Sequence, residues 1–218
     1  QPQPGVDVAS ATNVIHVGGT GRQSSYWRGE RVDWGAGLPD QPLDWFFASG
    51  HGSVVAADLS VLGMICAELR AGGTRVLFDP SPWFAGRAET AEMLALWSQV
   101  DVLSATHEEL ACWLPDVADA VKLARAAVAV VGGLVVVKRG AEGAAWATAD
   151  DQGTVATVAV CGNSVGAGDG FNARLVDGLA RGEPPARAVA GAVEMATRIV
   201  QAGKGALGVF PPEKGDQT

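Results

Sequence analysis

Hydrophobic positions along the chain follow two spacings, and their order predicts a fold of alternating helices and strands. From about residue 54 onward, stretches with apolar residues three or four positions apart alternate with short continuous apolar runs. In chain order, the pattern predicts a helix over Val55–Ala71, a strand over Thr74–Phe78, a helix over Glu89–Gln99, a strand over Val102–Ser104, a helix over Val117–Val130 and a strand over Leu134–Val137. This order is typical of βαβ units and a parallel sheet, and the valine-rich last run indicates a strand buried on both faces.

The remainder of the chain predicts a hairpin followed by two closing helices. Extended pieces at Ala144–Ala147 and Val155–Val160 flank an Asp-Asp-Gln-Gly sequence, which is typical of a turn and places a hairpin at the sheet edge. Helices are predicted over Gly168–Ala180 and Pro185–Ala202, because a glycine suits the end of the first and a proline the first turn of the second. The first fifty residues contain only short extended runs such as Val14–Val17.

Composition narrows the functional classes. The 218 residues are 48% hydrophobic and 18% charged, which is enough for one compact α/β domain. A net charge of −8 without a basic run argues against a nucleic-acid partner. Neither an export signature nor an apolar segment of membrane-spanning length is present in the sequence, so we expect a cytoplasmic protein with no membrane association. The three cysteines are odd in number and widely spaced, which predicts reduced, buried thiols.

The segment most informative about chemistry is Gly166-Ala167-Gly168-Asp169, between a predicted strand and a predicted helix. Its backbone N–H groups would point outward at a helix N-terminus, where glycines allow close approach and the helix dipole favours an anion. An acidic residue repels an anion there unless it has to accept a proton. Phosphoryl transfer requires such a carboxylate beside such donors, which makes Asp169 a candidate general base. The alternative role for Asp169 is a helix cap.

This segment resembles the signature of the ribokinase-like, or PfkB-type, carbohydrate kinases, a Gly-Ala-Gly-Asp anion hole whose Asp is the base. Asp79-Pro80 is similar to the family's Asp-Pro at a strand end, and Glu109 to the glutamate of its Asn-x-x-Glu region, associated with magnesium, with Thr106 in place of the Asn. The resemblance implies Glu109 as an indirect Mg²⁺ residue. It also implies an ATP-binding strand and glycine turn formed by Lys138, Arg139, Gly140, Ala141, Glu142 and Gly143.

The same resemblance implies a ribokinase-like three-layer α/β/α fold with a mostly parallel sheet, truncated at the N-terminus because the family's domain is longer than this chain. It predicts a single domain over residues 1–218, with 1–50 as a remnant of the substrate and lid region and 51–218 as the nucleotide-binding and catalytic core. The first residue is Gln1 rather than Met, so we expect missing upstream sequence. In the family that part contributes a Gly-Gly-Asn sugar contact and the dimer-forming lid, so a homodimer would be weakened.

Two segments bear on the substrate. Asn163-Ser164-Val165 is similar to the phosphofructokinase branch of the family, whereas Tyr26-Trp27-Arg28 looks more like 2-keto-3-deoxygluconate kinases. Arg28 could hold a sugar-acid carboxylate bidentately while Tyr26 contacts a hydroxyl, which favours the second branch. The resulting prediction is ATP- and Mg²⁺-dependent phosphorylation of a sugar or sugar-acid hydroxyl, with a monovalent cation as a further candidate cofactor.

Two other interpretations compete with a kinase. Gly162–Gly166 fits the G-x-S-x-G elbow of α/β-hydrolases, but the histidine of such a triad follows the serine, and here His16, His51 and His107 all precede Ser164. The stronger alternative is a truncated, catalytically inactive homologue that binds nucleotide or has a non-enzymatic role, since a fold does not guarantee an activity.

Overall fold

The computed structural model describes residues 12–18, 21–27, 38, 41–50, 58–80, 88–205 and 208–209, with the backbone alone in the first two ranges. Within these ranges the strands are β1 Thr12–Gly18, β2 Gly21–Trp27, β3 Trp45–Ser49, β4 Arg75–Asp79, β5 Val102–Thr106, β6 Leu134–Lys138, β7 Ala144–Ala147 and β8 Gln152–Val155. The helices are α1 Leu59–Ala71, α2 Thr90–Trp97, α3 His107–Ala111, α4 Ala120–Val131, α5 Ala167–Ala180 and α6 Pro185–Ala202.

The main sheet is mixed and has six strands in the order β3-β4-β5-β6-β7-β8. Strands β3 to β6 run parallel, and β7 and β8 complete the sheet as an antiparallel pair of neighbours. Strands β1 and β2 form a separate antiparallel hairpin. The predicted α/β class and the mostly parallel sheet are therefore confirmed.

The sheet is covered by helices on both faces, because its central strands are apolar on both sides. In β6, Val135 and Val137 belong to one buried cluster, whereas Leu134 and Val136 belong to the other. The first cluster joins the sheet to α1, α2, α3 and α4, and the second joins it to α5 and α6. This alternation with a period of two confirms the predicted three-layer α/β/α arrangement. None of the described helices has both the length and the apolar character needed to span a membrane.

Local end signals decide where the helices begin and end. Helix α6 has the predicted bounds, and α5 begins one residue earlier than predicted. Helix α4 begins at Ala120 because the Asp119 side chain accepts the Lys122 N–H at 2.9 Å, and it ends where Gly132 adopts a φ of +72°. Helix α1 begins at Leu59, and residues 55–57 of its predicted span lie outside the described residues.

The hairpin at the sheet edge exists, but its second strand lies earlier than predicted. The turn occupies residues 148–151, where the Thr148 N–H donates to the Asp151 carbonyl at 2.7 Å, so β8 begins at Gln152. Strand β8 includes Gly153 because this residue pairs with Trp146. The Trp146 indole lies so close that a Cβ at Gly153 would be 3.1 Å from it. The glycine is therefore a packing residue within the strand rather than a turn residue.

Strand β3 is an element that the sequence pattern did not predict. It pairs with β4 along its whole length, from Trp45 beside Arg75 to Ser49 beside Asp79. The Arg75 guanidinium also lies over the Trp45 ring, 4.3 Å from its centroid. The main sheet consequently begins at Trp45, inside the stretch that the sequence assigns to a lid remnant, and not after residue 50.

Candidate active site

The turn that precedes α5 is held by local hydrogen bonds. The Asn163 side chain accepts the Val165 N–H at 3.0 Å, and the Ala167 N–H donates to the Ser164 carbonyl at 3.2 Å. Gly166 follows with a φ of +81°, a left-handed conformation that glycine adopts without a steric penalty, and it caps the helix. The predicted Gly-Ala-Gly-Asp segment therefore does form a tight turn at a helix N-terminus.

This helix N-terminus leaves donors for an anion. The first helical hydrogen bond is from the Gly170 N–H to the Gly166 carbonyl, at 2.9 Å, so the N–H groups of Gly168 and Asp169 have no acceptor within the helix. Among the described residues, apart from the chain neighbours of Gly168 and the backbone of α5, no heavy atom lies within 4 Å of the position that a Cβ on Gly168 would take. The outcome differs from the sequence prediction at Ala167, whose N–H is engaged with Ser164. The donors available within the helix are those of Gly168 and Asp169, and the Gly166 N–H before them also has no acceptor among the described residues.

Asp169 lies in the first turn of α5 and is exposed. Within the described residues, no hydrogen bond or ion pair engages its carboxylate, and the helix is capped by Gly166 without a side-chain bond. The geometry therefore gives Asp169 no capping role. An accessible carboxylate beside open backbone donors is the arrangement that proton acceptance from a nucleophile needs.

Beneath this turn lies a polar cluster formed by three buried residues, Asp79, Ser104 and Asn172, and by Lys138, which is partly buried. The Lys138 ammonium donates to Asp79 Oδ2 at 2.7 Å. The Asn172 amide NH₂ donates to the same carboxylate oxygen, and the Asn172 carbonyl oxygen accepts from the Ser104 hydroxyl at 2.6 Å. Lys138, predicted to contact ATP, thus directs its charge to the interior of the protein.

Glu109 is buried and acts as part of a helix cap. Its carboxylate accepts the Thr106 N–H at 2.7 Å, while its own N–H donates to the Thr106 hydroxyl at 3.2 Å, which completes a capping box at α3. Burial raises the pKa of Glu109 to about 7; the Thr106 N–H and Lys138 oppose the shift, and Asp79 adds to it. Thr106 occupies the position where the resemblance places an Asn, and the capping box gives that threonine a structural role.

The glycine turn after β6 is well formed. Gly140 and Gly143 have φ values of +56° and +86°, and the Arg139 N–H donates to the Gly143 carbonyl at 2.8 Å. The Arg139 guanidinium pairs with the Glu142 carboxylate, and Ala141, between them, is exposed. The turn connects β6 to β7 at the end of the sheet where Lys138 and Asp79 lie.

The structure brings together only part of the predicted site. Lys138 and Asp79 are bonded directly, and Asn172 connects them to the helix that carries Asp169. Tyr26 lies in β2, whose side chains are not described, and Arg28 and the 81–87 stretch lie outside the described residues. Among the described residues, no three His, Cys, Asp or Glu side chains group closely enough to hold a metal ion.

Sequence reasoning missed Ser104 and Asn172. The available signal was polar residues at alternate positions of otherwise apolar strands: Ser104 in β5, and Asp79 and Lys138 as the last residues of β4 and β6. All three belong to the strand face that packs against α5, as the alternation of their apolar neighbours shows.

Comparison with known proteins bears on the family and the fold of this chain. Residues 47–209 match the sequence family described as pfkB family carbohydrate kinase. No curated protein sequence shows a significant match. Among solved structures, the ribokinase of Thermotoga maritima is 21% identical, with a TM-score of 0.69 over 90% of this chain and 65% of that one.

Two further solved structures carry nucleotides. The Anopheles gambiae adenosine kinase in complex with P1,P4-di(adenosine-5) tetraphosphate is 16% identical over 94% of this chain and 66% of that one, with a TM-score of 0.79. An E. coli protein assigned as Ribokinase II, in complex with ATP and Mg²⁺, is 16% identical over 87% of this chain and 65% of that one, with a TM-score of 0.66. At such identities the likeness shows a shared fold. This chain spans about two thirds of the length of these structures.

Proposed function

Because the chain belongs to the pfkB family of carbohydrate kinases, we propose that it transfers the γ-phosphoryl group of ATP to a hydroxyl group of a sugar or nucleoside, with Asp169 as the general base. One observation carries this proposal. The first turn of α5 presents an exposed carboxylate with no partner among the described residues, beside two backbone N–H groups that have no helical acceptor.

In the proposed reaction, Asp169 accepts the proton of the attacking hydroxyl while the hydroxyl oxygen bonds to the γ-phosphorus and the bond to the ADP oxygen breaks. The N–H groups of Gly168 and Asp169, with the dipole of α5, offset the negative charge on the transferring group. Positioning and charge neutralisation supply most of the rate enhancement, since phosphoryl transfer needs little covalent help from the protein.

We assign the nucleotide to the turn at residues 140–143, where the exposed Gly140, with a φ of +56°, presents backbone rather than a side chain at the surface. The pair of half-buried Arg139 and exposed Glu142 would border it, while Lys138 would act through its charge from below rather than by direct contact. Mg²⁺ fits as an ion that arrives with the phosphates, because it usually binds through phosphate oxygens and few carboxylates. Glu109 would act on it indirectly, since its carboxylate is held by Thr106.

The finer proposals differ in the molecule that accepts the phosphoryl group. Tyr26 and Arg28 favour a sugar acid such as 2-keto-3-deoxygluconate, because an arginine fork suits a carboxylate. The structural neighbours are named as ribokinase and adenosine kinase, which favours ribose or a nucleoside. A phosphorylated acceptor such as fructose 6-phosphate tests the phosphofructokinase branch. We place the sugar acid first, because the two residues that suit it come from this chain's own sequence.

The test combines binding with turnover. The chain is titrated calorimetrically with a non-hydrolysable ATP analogue and Mg²⁺, and ADP release is then measured over ribose, adenosine, fructose 6-phosphate and 2-keto-3-deoxygluconate. The panel is run in K⁺ and in Na⁺, since a monovalent cation is a predicted cofactor. Acceptor-dependent ADP release supports the proposal. Nucleotide binding without release for any acceptor supports the inactive homologue, and no binding contradicts both.

A further inference from the structure

Three neighbouring strands place polar side chains on the face that packs against α5. Asp79 ends β4, Lys138 ends β6, and Ser104 is the middle residue of β5. Buried apolar side chains of the same layer surround them, Leu77, Val102 and Val136 among them, and Asn172 of α5 is 1% exposed. The polar residues therefore form a compact group within an apolar interface between the helix and the sheet.

Asn172 is the helix residue that joins this group. Both ends of its amide are used: the NH₂ donates to Asp79, and the oxygen accepts from Ser104 at 2.6 Å. Asp79 accepts at the same oxygen from Lys138 at 2.7 Å, so its negative charge is balanced. The amide thus connects one point on α5 to two strands directly and to a third through Asp79.

Stability alone does not account for such a group. Buried ion pairs and polar networks contribute little net stability compared with apolar side chains of the same size. They contribute direction, because hydrogen bonds fix both distance and angle, whereas apolar contacts between a helix and a sheet tolerate sliding. A bonded Asn172 therefore sets where α5 lies along the sheet.

The position of this contact along the helix matters for the site. Asn172 follows Asp169 by three residues, so it lies about one helical turn further along, roughly 4.5 Å by the rise of an α-helix. The first turn before it carries Gly168 and Asp169, the two proposed donors and the base. A shift of the helix by about 1 Å would displace both relative to the substrate, and such a displacement costs on the order of 100-fold in rate.

We propose that Asn172 is a positioning residue for phosphoryl transfer, tying the catalytic turn of α5 to the ends of β4 and β6 through Asp79 and to β5 through Ser104. This inference rests on the proposed function, because positioning matters only if Asp169 takes part in the reaction. It assigns a role to the Asp79, Ser104 and Lys138 side chains as well, since they hold the amide in one orientation.

The test compares two truncations in the same helix. Asn172→Ala removes the bridge, and Leu175→Ala removes a fully buried apolar side chain one turn later, without polar bonds. We expect Asn172→Ala to lower kcat about 100-fold while the affinity for a non-hydrolysable ATP analogue changes less than about threefold. For Leu175→Ala, kcat should stay within about threefold of the wild type despite a lower melting temperature. Equal kcat losses in the two variants would overturn the positioning role.

Two further substitutions of similar size guard against misfolding of the truncated variant. Asn172→Leu keeps the approximate size of the side chain and removes both of its hydrogen bonds, whereas Asp79→Asn leaves an amide oxygen that can still accept from Asn172 and from Lys138. We expect kcat of Asp79→Asn to exceed that of Asn172→Leu by at least about tenfold. Equal kcat losses in the two folded variants would contradict the inference.

A turnover-independent measurement separates this inference from the proposed function. Hydrogen–deuterium exchange of the hydrogen-bonded amides of residues 170–173 should be about tenfold faster in Asn172→Ala than in the wild type, and close to the wild type in Leu175→Ala. If that difference appears but the wild type phosphorylates no acceptor, the tie between α5 and the sheet stands and the kinase proposal fails. Equal exchange in both variants overturns the tie itself.

Discussion

Glu109 combines burial with a charge, and this combination makes stability depend on pH. Its pKa in the folded protein is about 7, against an ordinary value of 4.5, and burial is the largest cause. The folded state therefore holds this proton more tightly than the unfolded state. The stabilisation is complete below about pH 4.5, declines as pH rises, and is lost above about pH 7.

Glu109→Gln provides the test of this pH dependence. Glutamine can still accept the Thr106 N–H in the capping box but does not titrate. We expect the free energy of unfolding of the wild type, minus that of Glu109→Gln, to fall by about 1–3 kcal/mol between pH 5 and pH 8. Urea denaturation in the presence of EDTA measures it without interference from metal. A difference that stays constant with pH would show that Glu109 has an ordinary pKa.

The cysteines differ in reactivity because they differ in burial. Cys66 lies in the core, and burial raises the pKa of its thiol to about 12, whereas Cys112 and Cys161 are exposed. The expectation that all three are buried is therefore wrong for two of them. With Ellman's reagent at pH 8, two thiols should react quickly in the native protein and the third only after unfolding. Three fast thiols would place Cys66 outside the core.

At the scale of elements, the turn between β6 and β7 contains two glycines that differ in the space available for a side chain. A Cβ at Gly143 would lie 2.0 Å from the Val155 carbonyl oxygen, while a Cβ at Gly140 would meet no atom of the described residues within 4 Å, its chain neighbours apart. Both have positive φ. Gly140→Ala should therefore cost about 1 kcal/mol of unfolding free energy from backbone strain alone, and Gly143→Ala about 3 kcal/mol or more, because β8 has to move.

Urea midpoints of the two alanine variants measure this difference. Gly140→Ala serves as the matched control, since it adds the same methyl group in the same turn. Equal destabilisation by both substitutions would mean that β8 does not press against Gly143.

Elements with regularly spaced apolar residues could be predicted from the sequence, whereas elements that depend on pairing between strands could not. The bounds of α6 follow from its apolar spacing and from the proline that begins it. Strand β3 has no alternation to mark it, and it exists because β4 offers a parallel edge. The start of β8 depends on Trp146 packing over Gly153, a contact between two strands that no local pattern reports.

At the scale of the whole molecule, the site lies where the fold gathers strand ends and a helix start. Asp79 and Lys138, the last residues of β4 and β6, are bonded at one edge of the sheet, and Asp79 contacts Asn172 in the second turn of α5. Ligands of open α/β sheets characteristically bind at this carboxyl edge. The turn at residues 166–169 could be predicted because its glycines and its acidic residue are adjacent in the sequence. The Asn172 bridge was not, because it joins residues 93 and 68 positions apart.

The central claim is that Asp169 is the base of an ATP-dependent phosphoryl transfer, and the most direct test is to compare Asp169→Asn with the wild type on the acceptor that gives the highest turnover. Asparagine keeps the size of the side chain and removes only its ability to take a proton. We predict that kcat falls by roughly two to four orders of magnitude while the affinity for a non-hydrolysable ATP analogue and the melting temperature stay close to the wild type. Unchanged turnover in Asp169→Asn would contradict the account.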